Sequence, residues 1–423
     1  MDFRHYSYSR QPQKRTGCPT LSNSIPANRR LETELLVCCA RARLDPETTE
    51  RIHSLSQKGI DWEYLLRLAS GHRLMPLLCR SLEKSCPQVI PGKILEQLRA
   101  YITHNTRRNL AFSGKLIKLL KLLNENSIPA VPFKGPALAE FVYGDLSLRQ
   151  FCDLDILVHE RDAFRARNLL KSYGYRPEIE LNDSQFKCFF KTKNSTAFTS
   201  DDGSVEFDLH WEMIGGYSLF PFDLESLKAR LVPATLAGKS ISHLCPEDLL
   251  LYLCHNGSRN CWQNLEMISS IAELVRSHTD IDWMQVTNLA TKLRCERILL
   301  LGLFLAHDFL GAPLPARVLE MLKDDARIPK LAKEIYKNLF LDRADSVEIG
   351  INPKFSSFHI KVREKLSEKI RYGLHLAVNP TMQEWKLVSL PASLAFFHYL
   401  FRPIRLATGL GAVLLRRRLR ETR

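Results

Sequence analysis

From about residue 128 the apolar residues stop recurring every three or four positions and begin to alternate in short runs, and after about residue 245 the three-to-four spacing returns. That switch of period constrains the fold most, because a few short strands between long helical stretches must bury one face of a small sheet against helices. Before the switch, "LETELLVCCARARL", "DWEYLLRLASGHRLMPLLCRSLEKS" and the run Lys93 to Asn126 read as amphipathic helices. Within it, "IPAVPF" reads as a strand and "PALAEFVYG" as a helix, with Pro136 in its first turn and Gly144 at its end. "CDLDILV" reads as a strand, "RDAFRARNLLKSYGY" as a helix, and "FKCFFKT" with "STAFTS" as one or two strands. Asp201, Asp202 and Gly203 turn the chain into a last strand, "SVEFDLHW". Helical patterns then cover "PEDLLLYLCHNGSRN", 262–277, 283–311 and 314–342. The expected fold is α+β, organised as a disordered basic tail (1–30), a helical region (31–114), an α+β core (115–235), a helical domain (236–345) and a C-terminal extension (346–423).

The polar residues inside the strands are the candidates for chemistry. Residues two apart in a strand share a face, so Asp153 and Asp155 are expected to project together while Cys152, Leu154, Ile156 and Val158 pack behind them. Two carboxylates roughly 6–7 Å apart repel by about 2.5 kcal/mol at an effective dielectric near 20. A divalent cation turns that repulsion into attraction, and Mg²⁺ takes such carboxylates together with phosphates and water. Asp-x-Asp alone is also what the wet face of any strand looks like. In "SVEFDLHW", however, Glu206, Asp208 and His210 share one face, and an antiparallel neighbour carrying them would bring a third carboxylate to the pair. Lys134-Gly135, at a strand-to-helix junction, offers a cation and backbone N–H groups where phosphates would sit.

Lys134-Gly135 opening a helix, Arg149, Asp153-x-Asp155 and then Asp208-Leu-His210-Trp211 resemble the nucleotidyltransferase superfamily that includes DNA polymerase β. More closely, the chain is similar to uncharacterised bacterial nucleotidyltransferases with a Lys-Gly turn in place of the usual Gly-Ser, over about 30–310 and more loosely to "HYLFRPIRL". The resemblance implies a polymerase β-like core with a small mixed sheet flanked by helical regions. It implies that Asp153 and Asp155 hold two Mg²⁺ (or Mn²⁺) ions, that Asp208 completes the second site, and that Lys134, Gly135 and Arg149 face the triphosphate of an NTP. A nucleoside monophosphate would pass to a hydroxyl acceptor, a small molecule, peptide or protein sooner than nucleic acid, with release of pyrophosphate. The alternative is a catalytically silent nucleotide-binding protein serving regulation or assembly, peripheral to a membrane. Glu206 ranks second to Asp208 as third ligand. Two departures stand out: Pro136 follows Gly135, where the wider superfamily has its hydroxyl, and Ser270 stands where similar proteins often carry an aspartate.

The formal charge of +14 favours anionic partners, but much of the excess lies in basic ends such as Arg416, Arg417, Arg418, Arg420 and Arg423, which says little about a groove. Eleven scattered cysteines without a secretory signal read as reduced thiols of a cytoplasmic protein. His243, Cys245, Cys254, His255 and Cys261 lack zinc-site spacing. The C-terminal "LVSLPASLAFFHYLFRPIRLATGLGAVLL" is interrupted by Arg402, Pro403 and Arg405 and falls short of the roughly 20 apolar residues of a spanning helix. It reads either as a helix packed on its own domain or as an amphipathic segment touching the inner membrane face.

Overall fold

The computed structural model describes residues 30–215, 222–340, 357–387 and 390–405. The basic ends of the chain, 1–29 and 406–423, lie outside them. Four helices, α1 to α4 (Arg30–Cys39, Pro46–Ser56, Trp62–Gly71 and Met75–Ser85), precede the long α5 (Gly92–Glu125). Asp45 and Asp61 each accept a hydrogen bond from a first-turn amide of the helix that follows, which fixes where α2 and α3 begin.

The sheet then forms in the order β1 (Ala130–Pro132), β2 (Leu154–Val158), β5 (Glu206–His210), β4 (Ser195–Ser200), β3 (Tyr175–Pro177). Its connections are α6 (Gly135–Leu138), α7 (Ala163–Ser172) and α8 (Asp183–Phe190). All neighbours are antiparallel except β2 and β5, which run parallel with Asp155 opposite Asp208 and Leu157 opposite His210. This mixed sheet confirms the α+β class and corrects the expectation of an antiparallel β2–β5 pair. Two strands separated by a long excursion through α7, β3, α8 and β4 are free to run the same way.

"FKCFFKT" is a second correction, since it lies largely within α8. Its phenylalanines favour strands, but Asn182 accepts from the Gln185 amide while the Gln185 side chain accepts from the Asn182 amide, a reciprocal cap that starts a helix just before them. Phe186 and Phe189 then fall on one buried face. A hairpin, β6 (Val232–Leu236) with β7 (Lys239–His243), spans the boundary expected at 235 and follows the short α9 (Leu224–Leu227).

Helices α10 to α15 (Pro246–Arg259, Leu265–Ser277, Trp283–Lys292, Glu296–Leu310, Ala316–Asp324 and Ile328–Leu339) complete the central body. The expected 283–311 helix divides because Arg294 adopts a φ of 54°, a left-handed conformation that ends α12. Two cores result. Helices α1–α4 share one with α10–α15, and the strand residues Leu154, Ile156, Phe207 and Leu209 meet α7, α8 and the end of α5 in the other.

The described C-terminal residues form α16 (Ser357–Lys361), α17 (Leu366–Val378), α18 (Met382–Leu387) and helical residues 397–405. Trp385 packs edge-on against Phe189 at 5.4 Å, Lys193 Nζ donates to the Pro380 carbonyl at 2.6 Å, and Gln185 Nε2 donates to the Leu390 carbonyl at 2.8 Å. Glu384, only 2 % exposed, secures this segment by accepting from the Thr381 amide and hydroxyl and pairing with Arg402 and Arg405. Burial alone would raise its pKa, but those donors and charges outweigh it and hold the carboxyl at about 2. A depressed carboxyl stabilises the fold above its unfolded pKa. The C-terminal docking is therefore expected to be complete above about pH 4.5 and lost progressively as pH falls through about 2. Hydrogen exchange of residues 357–405 over pH 2–6 checks this, with Glu384→Gln removing the dependence. No helix among the described residues is long and apolar enough to cross a membrane.

Candidate active site

β1 ends at Pro132, and the next residues turn sharply into a helix. Gly135 makes that turn with a φ of +57°, and a Cβ there would lie 2.9 Å from the backbone oxygen of Asp153. The Lys-Gly turn and the Asp-x-Asp segment are thus in backbone contact, and only glycine permits it. The helix continues from α6 as a wider π turn over Ala139–Tyr143 and stops at Gly144, whose φ is 68°.

Asp155 is the second residue of β2, 2 % exposed. Its Oδ1 lies 3.1 Å from Lys134 Nζ and 3.0 Å from His210 Nε2. An ionised carboxylate only accepts, so Nε2 carries the proton of His210 and donates it. Burial works to raise the Asp155 pKa, but Lys134 and then His210 outweigh it and hold the carboxyl well below the usual range. Burial likewise works to lower Lys134, and the Asp155 charge more than reverses it, keeping the ammonium charged. Tyr252 of α10 covers Lys134, its ring centroid 5.6 Å from Nζ, and Phe133 stands edge-on to both Tyr252 and His210.

Asp208, the register partner of Asp155, has the opposite electrostatics. Its pKa is pushed up to about 6 by burial first, against the pull of His210, with the Asp155 charge adding to the rise. Ligand atoms of Asp155, Asp208 and His210 all lie within 4.8 Å of one another. Glu206, at the exposed start of β5, is outside this cluster. So is Asp153, one residue ahead of β2 and exposed, which departs from the expectation of a joint projection with Asp155 from within the strand. It remains near enough for its charge to raise both Asp208 and Lys134.

Arg149, expected at the triphosphate, is engaged within the protein. Its Nε donates to Glu266 at 2.8 Å and its Nη1 to the Gly135 carbonyl at 3.4 Å. Burial would lower its pKa, and Glu266 raises it instead. Glu266 also accepts from the Ser270 hydroxyl at 2.9 Å, and Ser270 shares a hydrogen bond of 3.0 Å with the Tyr143 hydroxyl. Ser270 therefore fills the place of an acid as a relay to one: Glu266, one helical turn earlier, supplies the carboxylate. Two further residues escape sequence reasoning. Asn109 Nδ2 donates to the carbonyls of Leu146 and Arg149 at 2.7 and 2.8 Å, and Asn105 Nδ2 to those of Ser147 and Arg149 at 3.0 and 3.3 Å. Together they clamp the loop that delivers Asp153 and Asp155. Their signal was available, as two asparagines four residues apart on the buried face of α5.

Two features suit a hard divalent cation here. Asp155 Oδ2 is buried without a hydrogen-bond partner, and Asp208 is held at an unfavourable charge beside it. A carboxylate pair supported by a histidine hydrogen bond fits Mg²⁺ or Mn²⁺ better than a thiolate-seeking metal.

A model of an uncharacterised nucleotidyltransferase family matches residues 58–311, a span that contains every residue of this site. The chain belongs to that family. No curated protein and no solved structure matches it. Family membership supports a transferase acting on a nucleoside triphosphate, and the cluster makes a divalent metal plausible. Residues 357–405, several of which line one cavity together with Asp208, lie beyond the matched span.

Proposed function

We propose that the protein transfers a nucleoside monophosphate from an NTP to a hydroxyl acceptor, with Asp155 and Asp208 holding Mg²⁺ or Mn²⁺ and Asp153 joining them once nucleotide is present. The observation that carries this reading is the parallel register of Asp155 and Asp208 beside a Lys-Gly turn that touches the Asp153 backbone. Asp155 and Asp208 would hold the metal, which would supply electrostatic stabilisation of the charge that develops in an in-line displacement. Lys134 neutralises phosphate charge as its ion pair with Asp155 opens. His210 holds Asp155 in orientation by its Nε2–H hydrogen bond. Arg149, through Glu266 and the Gly135 carbonyl, fixes the turn and acts as a positioning residue. The acceptor oxygen bonds to the α-phosphorus as the bond from that phosphorus to the bridging oxygen breaks, and pyrophosphate leaves with the electron pair. Asp208 takes the acceptor proton and passes it to solvent.

Thermal unfolding with Mg²⁺ and each NTP, alongside pyrophosphate release, tests this. Ligand at about 100 times its Kd adds roughly 2.7 kcal/mol of stability. The expected result is a Tm rise that needs metal and nucleotide together, accompanied by pyrophosphate. A nucleotide-dependent rise without pyrophosphate in the presence of acceptor-containing extract would favour the silent nucleotide-binding protein, and no rise at all would remove both.

A further inference from the structure

Sheet order carries an inference about the acceptor, resting on the transferase reading above. From one edge inward, the sheet presents the Lys134-Gly135 turn after β1, Asp155 on β2, Asp208 on β5, and then β4. Beyond Asp208, a cavity of about 400 Å³ lies between β4 and the C-terminal segment. Its lining includes Asp208, Asn194, Thr196, His359, His375 and Asn379. An in-line displacement places the leaving pyrophosphate and the attacking hydroxyl on opposite sides of the α-phosphorus. With the phosphates at the Lys134 end, the attacking group enters from the β4 side, where the cavity is.

We infer that this cavity binds the acceptor, and that the acceptor is a small hydroxyl-bearing molecule, recognised by residues of the C-terminal segment outside the family-matched span. Four observations support this. A few hundred cubic ångströms accommodates a compact ligand and not a folded protein surface. About half of the lining is polar, and Asn194, Thr196, His375 and Asn379 place hydrogen-bonding side chains on its wall that suit hydroxyl groups. The wall is built, not incidental: Asn379 Nδ2 donates to the Thr192 carbonyl at 3.3 Å, and Lys193 Nζ to the Pro380 carbonyl, so α17 and the following loop are fastened to the strand-entry loop at the cavity rim. Finally, His359 is 5 % exposed and its Nε2–H donates to the Arg259 carbonyl at 3.0 Å, leaving a buried Nδ1 without a partner. A neutral Nδ1 accepts, and although it is closed off from the cavity here, a ligand hydroxyl would satisfy it by moving the wall aside on entry. Burial, aided by the charges of Arg363 and Arg259 and opposed by the Arg259 carbonyl, lowers the pKa of His359 and keeps the ring neutral.

The test uses full-length protein, Mg²⁺ and α-labelled NTP, offered separately to the small-molecule ultrafiltrate and to the macromolecular fraction of a cell extract. Label is expected in the ultrafiltrate. His375→Trp, which fills the cavity, and His359→Phe, which removes the Nδ1 acceptor, should each cut that labelling by about tenfold or more. The metal- and nucleotide-dependent Tm rise, followed on the same variants, should persist and shows that they fold. Labelling of macromolecules only, labelling unchanged in both variants, or nucleotide binding with label in neither fraction would overturn the assignment. A wild-type protein that binds no nucleotide would instead overturn the transferase reading on which it rests.

Discussion

Asp208→Asn should make the metal-free protein more stable while ending transfer, and Asp155→Asn should make it less stable while also ending transfer. The opposite signs follow from the two environments. Asp208 is pushed up to about 6, chiefly by burial, so at pH 8 the folded state must keep ionised a group that would give up its proton more readily unfolded. For an acid with a raised folded pKa the native state is favoured at low pH and disfavoured as pH climbs from the unfolded value, 3.8, through 6. Removing the charge recovers roughly 1–3 kcal/mol, a Tm gain of a few degrees. That gain should be full at pH 8, shrink below pH 6 and vanish near pH 4. Asp155 is the reverse case, because its charge satisfies Lys134 and His210. Neutralising it strands a partly buried ammonium, and breaking such a pair costs about 3–5 kcal/mol. In both variants transfer should fall by about 10³-fold or more, since an electrostatic support of the displacement is gone. Differential scanning calorimetry in chelated buffer between pH 4 and 8 reads the stability terms, and pyrophosphate release with Mg²⁺ reads transfer. Equal shifts of the same sign would mean that the two carboxylates do not divide the work as the geometry indicates.

The sheet and most helices were legible because their signals are local. Period-two runs marked β2, β4 and β5, the Asp201-Asp202-Gly203 turn made β4 and β5 a hairpin, and Pro136 and Pro246 marked helix starts. The direction of β2 relative to β5 was not legible, since parallel and antiparallel neighbours need the same alternation and only the path of the intervening chain decides. Nor was α8, where a cap of two side chains outweighed three aromatic residues. In the site, residue type and spacing pointed to Asp155 and Asp208, whose pairing depends on strand register. Arg149 shows the limit of that logic: an arginine near a phosphate site looks the same in sequence whether it faces phosphate or, as here, a glutamate contributed 117 residues later. Glu266 acts by holding a side chain in place and has no spacing of its own to recognise, whereas Asn105 and Asn109 offered only their four-residue spacing on α5, which does not say what they hold.

Gly135→Ala should fold and yet lose transfer by about 10²-fold, the loss expected when reacting groups move by about an ångström. Two costs arise at this position. A φ of +57° disfavours alanine by roughly 1–2 kcal/mol. The new Cβ also meets the Asp153 carbonyl oxygen at 2.9 Å, too close for any real contact, and that oxygen belongs to backbone, which cannot rotate away as a side chain would. Relief has to come from moving either the turn or the segment from Asp153 to Asp155, and each changes the distance between the lysine and the carboxylates. Gly144→Ala separates these effects. Its φ of +68° imposes a comparable conformational cost, but nothing lies within 4 Å of a Cβ there. Gly144→Ala should therefore lose similar stability and keep its transfer rate, measured at saturating NTP on protein shown folded by its Tm. Equal loss of transfer in both would assign the effect to general strain in the helix between them. Loss in Gly135→Ala alone would show that the site depends on how closely the Lys-Gly turn approaches the Asp153 backbone.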